Sequence, residues 1–137
     1  MATIGHPLSD LSNLLTPFVT ATDKNAQSMS RGATGAGAAN AAFVPGATPG
    51  LPSQQQCIEW YRDVAGWDPA PDVTWGAAFG IYRGAIIMQG IAARYAMRQA
   101  SSAKASEYGK MMKPFGLVAW GLVEACARDK GKPVSKL

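Results

Sequence analysis

Apolar residues recur along this chain at helical spacing. Leu8, Leu11, Leu14, Leu15 and Phe18 place one apolar stripe on a helix that opens after His6-Pro7. Pro17 lacks an N–H and crowds the preceding turn, so this helix is expected to kink there or to end soon after. From Thr20 to Pro52 small and polar residues take over, and Gly32 to Asn40 is low-complexity. A long loop is predicted over 20–52, with Phe43 and Val44 pinning its end to the core. Ser53 followed by Gln56 reads as a capping box, and Gly66 as the C-terminal glycine of a second helix. Ile58, Tyr61 and Val64 or Ala65 would form its inner face. Trp67-Asp68-Pro69-Ala70-Pro71-Asp72 is a turn, and a long helix is predicted over Val73–Gln99. Trp75, Phe79, Tyr82, Ile86 and Gln89 share one of its faces. A glycine inside a helix costs about 1 kcal/mol against alanine. Gly76, Gly80 and Gly84, spaced one turn apart, therefore predict close approach by another helix. A last helix is predicted over Ser102–Ala127, with Tyr108, Met111, Met112, Phe115, Val118, Leu122 and Val123 inward, and with a kink or split near Met112 caused by Pro114. No segment alternates as a strand does. The expected fold is all-α: a small bundle of about four to five helices with a long Gly/Ala-rich loop, a single domain over 1–137 with a basic tail over 128–137.

Composition narrows the function. The chain has 137 residues, 47% of them apolar, which suffices for a buried core. The formal charge of +4 is spread over the sequence rather than gathered in a stripe with interleaved aromatics, so no nucleic-acid partner is expected. Val73 to Met97, the longest apolar stretch, is interrupted by Arg83, Gln89 and Arg94, so no membrane span is expected. No charged segment followed by an apolar run opens the sequence, which suggests no secretory signal and a cytoplasmic protein. Cys57 and Cys126 share no metal-type spacing and are expected to be reduced thiols.

Little catalytic chemistry is legible. His6 is the single histidine, which excludes multi-histidine metal sites, and no metal is expected. Gly32 to Gly37 lacks the Lys-Ser/Thr of a phosphate loop and follows no strand, and no cofactor is expected. The candidate catalytic residues are Asp10, His6 and Arg83. Asp10 would meet Arg83 if the first and third helices touch, either as a structural ion pair or as the polar centre of a pocket. Candidate substrate-binding residues are Asn13 and Gln89 with an aromatic wall of Trp75, Phe79 and Tyr82; for each of these aromatics, and for Trp60, core packing is the favoured reading.

Thr3-Ile4-Gly5-His6-Pro7-Leu8-Ser9-Asp10-Leu11-Ser12-Asn13-Leu14-Leu15 resembles the segment that follows the metal-binding Asp in the aminoglycoside-phosphotransferase and choline-kinase-like family. Pro49-Gly50-Leu51-Pro52-Ser53, Glu59-Trp60-Tyr61, Gly66, then Phe79 to Ile91, Arg94 and Ala100-Ser101-Ser102-Ala103 extend the likeness, which is similar to the kinase-like domain found fused to acyl-CoA dehydrogenases. His6 departs from the family's usual acidic residue, and Pro114 and the loop insertion depart from its helix pattern. The resemblance implies a helical subdomain on the substrate side of a phosphotransferase cleft. The family's nucleotide lobe and its catalytic and metal-binding aspartates would precede this segment, so kinase activity by this chain alone is not expected. Three functions follow: a substrate-lobe-like domain that binds a small molecule, a repurposed metabolite-converting enzyme of isomerase or cyclase type, and a structural or interaction module. Apolar surface left by a missing ATP lobe would be covered by that partner or by a homodimer formed along the glycine ridge.

Overall fold

The computed structural model describes residues 5–23 and 41–131. Among them every regular element is helical: α1 (Leu8–Thr22), α2 (Gln54–Ala65), a 3-10 turn (Ala70–Asp72), α3 (Val73–Ala96), α4 (Ala105–Lys110) and α5 (Met112–Asp129). The all-α reading holds. The middle of the expected 20–52 loop, 24–40, and the tail from 132 onward lie outside the described residues.

Pro17 does not end α1, which continues to Thr22, so the helix takes the first positions assigned to the loop. Proline removes one rung of the helix ladder. Hydroxyls add bonds along the same helix: Thr16 Oγ1 donates to the Ser12 carbonyl at 2.8 Å, and Thr20 Oγ1 to the Thr16 carbonyl at 3.0 Å. The α1 stripe is buried at Leu8, Leu11, Leu15 and Phe18, but Leu14 points outward. The capping box of α2 forms as its spacing predicts: the Gln56 N–H donates to Ser53 Oγ at 3.2 Å, and the Ser53 N–H donates to Gln56 Oε1 at 2.9 Å. Gly66 closes the helix at φ 73°. Ile58 is buried, whereas Val64 is 90% exposed and Ala65 is exposed too, so the inner face of α2 is shorter than its pattern suggests.

The long helix α3 stops at Ala96, short of the predicted Gln99. Arg98 adopts a left-handed φ of 57°. Its N–H donates to the Tyr95 carbonyl at 3.0 Å, and the Gln99 N–H donates back to the Arg94 carbonyl at 2.8 Å. This is a Schellman ending with arginine where glycine is usual. Beyond it, Pro114 sits near the start of α5, separated from α4 by Met111, so the predicted helix is split where proline required it.

α3 is the spine. Gly76 receives α1: a Cβ there would collide with Ser12 Oγ and lie 2.9 Å from Leu8 Cγ. One turn on, Gly80 faces Asn13 and Thr16 of α1, so α1 and α3 run parallel. On the other flank a Cβ on Gly84 would lie 3.0 Å from the Phe115 ring, and Lys130 Nζ reaches Asp72 Oδ1 at 4.0 Å. The end of α5 thus meets the start of α3, and the pair is antiparallel. The glycine ridge is seated on this chain's own α1 and α5, so it is not available to a second copy.

One apolar cluster joins Leu11, Leu15, Phe18, Ile58 and Val73, with Phe43 packed on it. Phe43 meets Phe18 edge to face at 5.1 Å, so it pins the loop end as expected, while Val44 stays exposed. A second cluster joins Ile81, Val118 and Ala119, with Val19, Phe115 and Leu122 against it. No helix among the described residues is long and apolar enough to cross a membrane.

Candidate functional site

The inner faces of α1, α3 and α5 meet over Ile81 and Val118. α3 carries apolar residues on its far side as well. Trp75, Phe79, Tyr82 and Ile86 follow one another at three- and four-residue steps, a row opposite the buried Ala77, Ile81 and Ala85. A helix that is apolar all round is ordinarily buried all round. Here the outer row is open: Trp75 is 52% exposed, Phe79 48% and Tyr82 55%.

α5 runs beside that row and turns a different kind of surface toward it. Gly116, Ala119 and Val123 form a row of small side chains, and Trp120 rises at the edge. Together the two rows line a groove of about 420 Å³ along the α3–α5 seam, with Ala78 in its floor. No charged residue lines it. The Trp120 indole N–H donates to Glu124 Oε1 at 3.0 Å, which holds the ring in place and turns its polar edge away from the groove residues toward the next turn of α5.

Trp75 and Phe79 also wall a second, adjoining groove of about 470 Å³, whose other lining residues are His6, Leu8, Ser9, Asp72 and Gly76. His6 is held by the N-terminus of α1: its Nδ1 accepts the Leu8 N–H at 3.2 Å, and its ring stands edge-on to Trp67 at 5.5 Å. Asp72 is engaged with Lys130.

The structure divides the sequence-predicted residues into three groups. Trp75, Phe79 and Tyr82 come together as a wall, open to solvent rather than enclosed. Arg83 does not meet Asp10. Its guanidinium donates to Asn13 Oδ1 at 2.7 Å and lies 3.5 Å from Ser9 Oγ, so it ties α3 to α1 on an exposed flank. Asp10 points away there because the seat of Ser12 on Gly76 sets the rotation of α1. Asn13 is thereby spent on Arg83, and Gln89 lies on the exposed end of α3 beyond the groove lining. Trp60 is exposed on α2 and joins neither groove. Trp120 and Gly116 were not legible as site residues, because the apolar pattern of the last helix points to its inner face, and these lie off it.

The chemistry available is sparse. Among the described residues no group of three His, Cys, Asp or Glu is placed to hold a metal ion. Burial pushes both thiols up; at Cys126 the nearby Asp129 and Asp72 add to this, and Lys130 opposes it. Among the described residues His6 and Asp72 line the second groove, and no His, Asp, Glu, Lys or Arg lines the first. What the site offers is apolar, aromatic surface. Comparison with protein-family models, with curated proteins and with solved structures finds no match for this chain.

Proposed function

We propose that this chain is a non-catalytic helical binding module, similar to the substrate lobe of a phosphotransferase but without a nucleotide site, whose working surface is the α3–α5 groove. The carrying observation is that Trp75, Phe79, Tyr82 and Trp120 stand partly exposed around one uncharged groove. Leaving such rings in water forgoes roughly 1.5–3 kcal/mol each at full burial, so a partner that covers them gains affinity from apolar burial alone. The sequence resemblance supports the substrate-lobe ancestry, and the uncharged lining of the α3–α5 groove favours binding over isomerase- or cyclase-type catalysis there.

A second reading, a small-molecule binder, rests on the adjoining groove. There His6 and Ser9 supply polar groups at one end of the Trp75–Phe79 wall, the combination that orients a small ligand with an apolar body.

The test uses the neutral fluorophore N-phenyl-1-naphthylamine with sub-micromolar protein. Tyr82→Glu, at an exposed position, should leave the helical circular dichroism intact and weaken dye binding about tenfold or more. Unchanged dye affinity in that variant would overturn the groove. Mg-ATP should leave the melting temperature unmoved, and a rise of several degrees would overturn the non-kinase reading.

A further inference from the structure

The groove has one row of large side chains and one row of small ones, side by side. On α3 the row is Trp75, Phe79 and Tyr82; on the antiparallel α5 it is Val123, Ala119 and Gly116, at matching heights. The small row ends in a real gap. A Cβ built on Gly116 has nothing within 4 Å, and in a helix interior such a glycine is a cost the fold itself does not require. Bulk and gap therefore lie on the same face, about one helix diameter apart.

A two-fold axis running along the helix pair, in the plane of this face, exchanges left and right without shifting height. It lays the α3 of one copy over the α5 of the other. Tyr82 then stands over Gly116, Phe79 over Ala119 and Trp75 over Val123, twice over. A two-fold interface must be self-complementary in this way, each surface serving as knob and as hole. We infer that the α3–α5 face is the dimer interface of this protein, two copies closing on each other as a four-helix bundle.

Area and charge both select a second copy. Aromatic side chains cover 150–250 Å² each, so at the observed exposures the four rings leave roughly 400 Å² uncovered per copy. A stable interface takes roughly 800 Å² from each partner, of which the rim is polar and supplies the remainder. The chain carries a net charge of +4, yet the groove lining has no Lys, Arg, Asp or Glu, so two identical faces meet without like charges opposed. A partner recognised by charge finds nothing to hold.

This inference rests on the groove being the working surface, and the experiment separates the two. Sedimentation equilibrium at about 50 µM, a concentration at which interfaces of this size are formed, should give twice the 14.4 kDa chain mass. Gly116→Leu fills the gap, and its Cβ meets no atom of the protomer within 4 Å. It should keep the fold and raise the dimer dissociation constant about thirtyfold or more. Phe79→Glu, on the opposite helix, should also give monomers and covers the case in which the leucine variant misfolds. A wild type that stays monomeric at that concentration while its dye binding depends on Tyr82 overturns the dimer and leaves the groove reading standing. Dimers untouched by both variants overturn the interface. A monomer whose dye binding ignores Tyr82 removes both readings.

Discussion

At the scale of single residues, the glycines of α3 and α5 differ by what surrounds them. Gly76 is filled by its neighbours: the Ser12 hydroxyl, donating to the Leu8 carbonyl at 2.5 Å, occupies the space an added methyl would need. Gly121 on α5 has nothing within 4 Å of that position. Gly76→Ala should therefore lose about 1–2 kcal/mol, overpacking outweighing the helix-propensity gain. Gly121→Ala should gain about 0.5–1 kcal/mol. Opposite shifts of the urea midpoint check the pair, and equal shifts would show that propensity alone decides. The close approach at Gly76 was legible from spacing, because a glycine inside a long apolar helix demands a reason. The partner of Arg83 was not. Asp10 and Asn13 are one turn apart on α1, and only the rotation set by Ser12 decides which of them Arg83 meets.

At the scale of elements, helix ends were legible where they carry their own chemistry. Ser53 with Gln56, and Gly66, mark both ends of α2 in the sequence and in the structure. Ser53→Ala should lower stability by about 1 kcal/mol through loss of the bond to the Gln56 N–H, read from the denaturation midpoint. The end of α3 was misplaced because arginine gives no signal for a left-handed residue. That conformation is costly for any side chain with a Cβ, by roughly 1–2 kcal/mol. Arg98→Gly should accordingly raise the melting temperature while leaving α3 no longer. Pro17 shows the converse: a breaker whose effect is absorbed. The helix behind it is packed on a core through Phe18 and Ala21, and packing outweighs one missing rung.

At the scale of the whole molecule, both thiols are partly buried, and that burial holds their pKa above the usual value of about 8.5. The sign follows from linkage. A raised folded-state value means that the folded chain keeps its thiol proton longer than the unfolded chain. The stability tied to it is complete below the unfolded value and is lost as pH rises through the folded one. Stability should fall above pH ~9, and iodoacetamide should alkylate both cysteines at pH 8 more slowly than it alkylates glutathione. Cys57→Ser with Cys126→Ser should remove the alkaline decline, and its persistence would place the cause elsewhere. The all-helical fold was legible because apolar residues recur at the helical period in α1, α2 and α5 and no segment alternates as a strand does. The groove was only half legible. Its α3 wall stands out as a run of aromatics, whereas its α5 wall consists of small residues that read as ordinary helix, and their use emerges only when the two helices are laid side by side.

The paired seats on α3 carry one more implication. Gly76 and Gly80 lie four residues apart, about 6 Å along the axis, and although only Gly76 is in close contact with α1, the spacing of two glycines alone does not tell α1 how far to slide. The sliding position is fixed instead by what cannot be repeated a turn later: the one clasp of Arg83 on Asn13, and the fit of Leu15 and Phe18 against Ile58 and Val73.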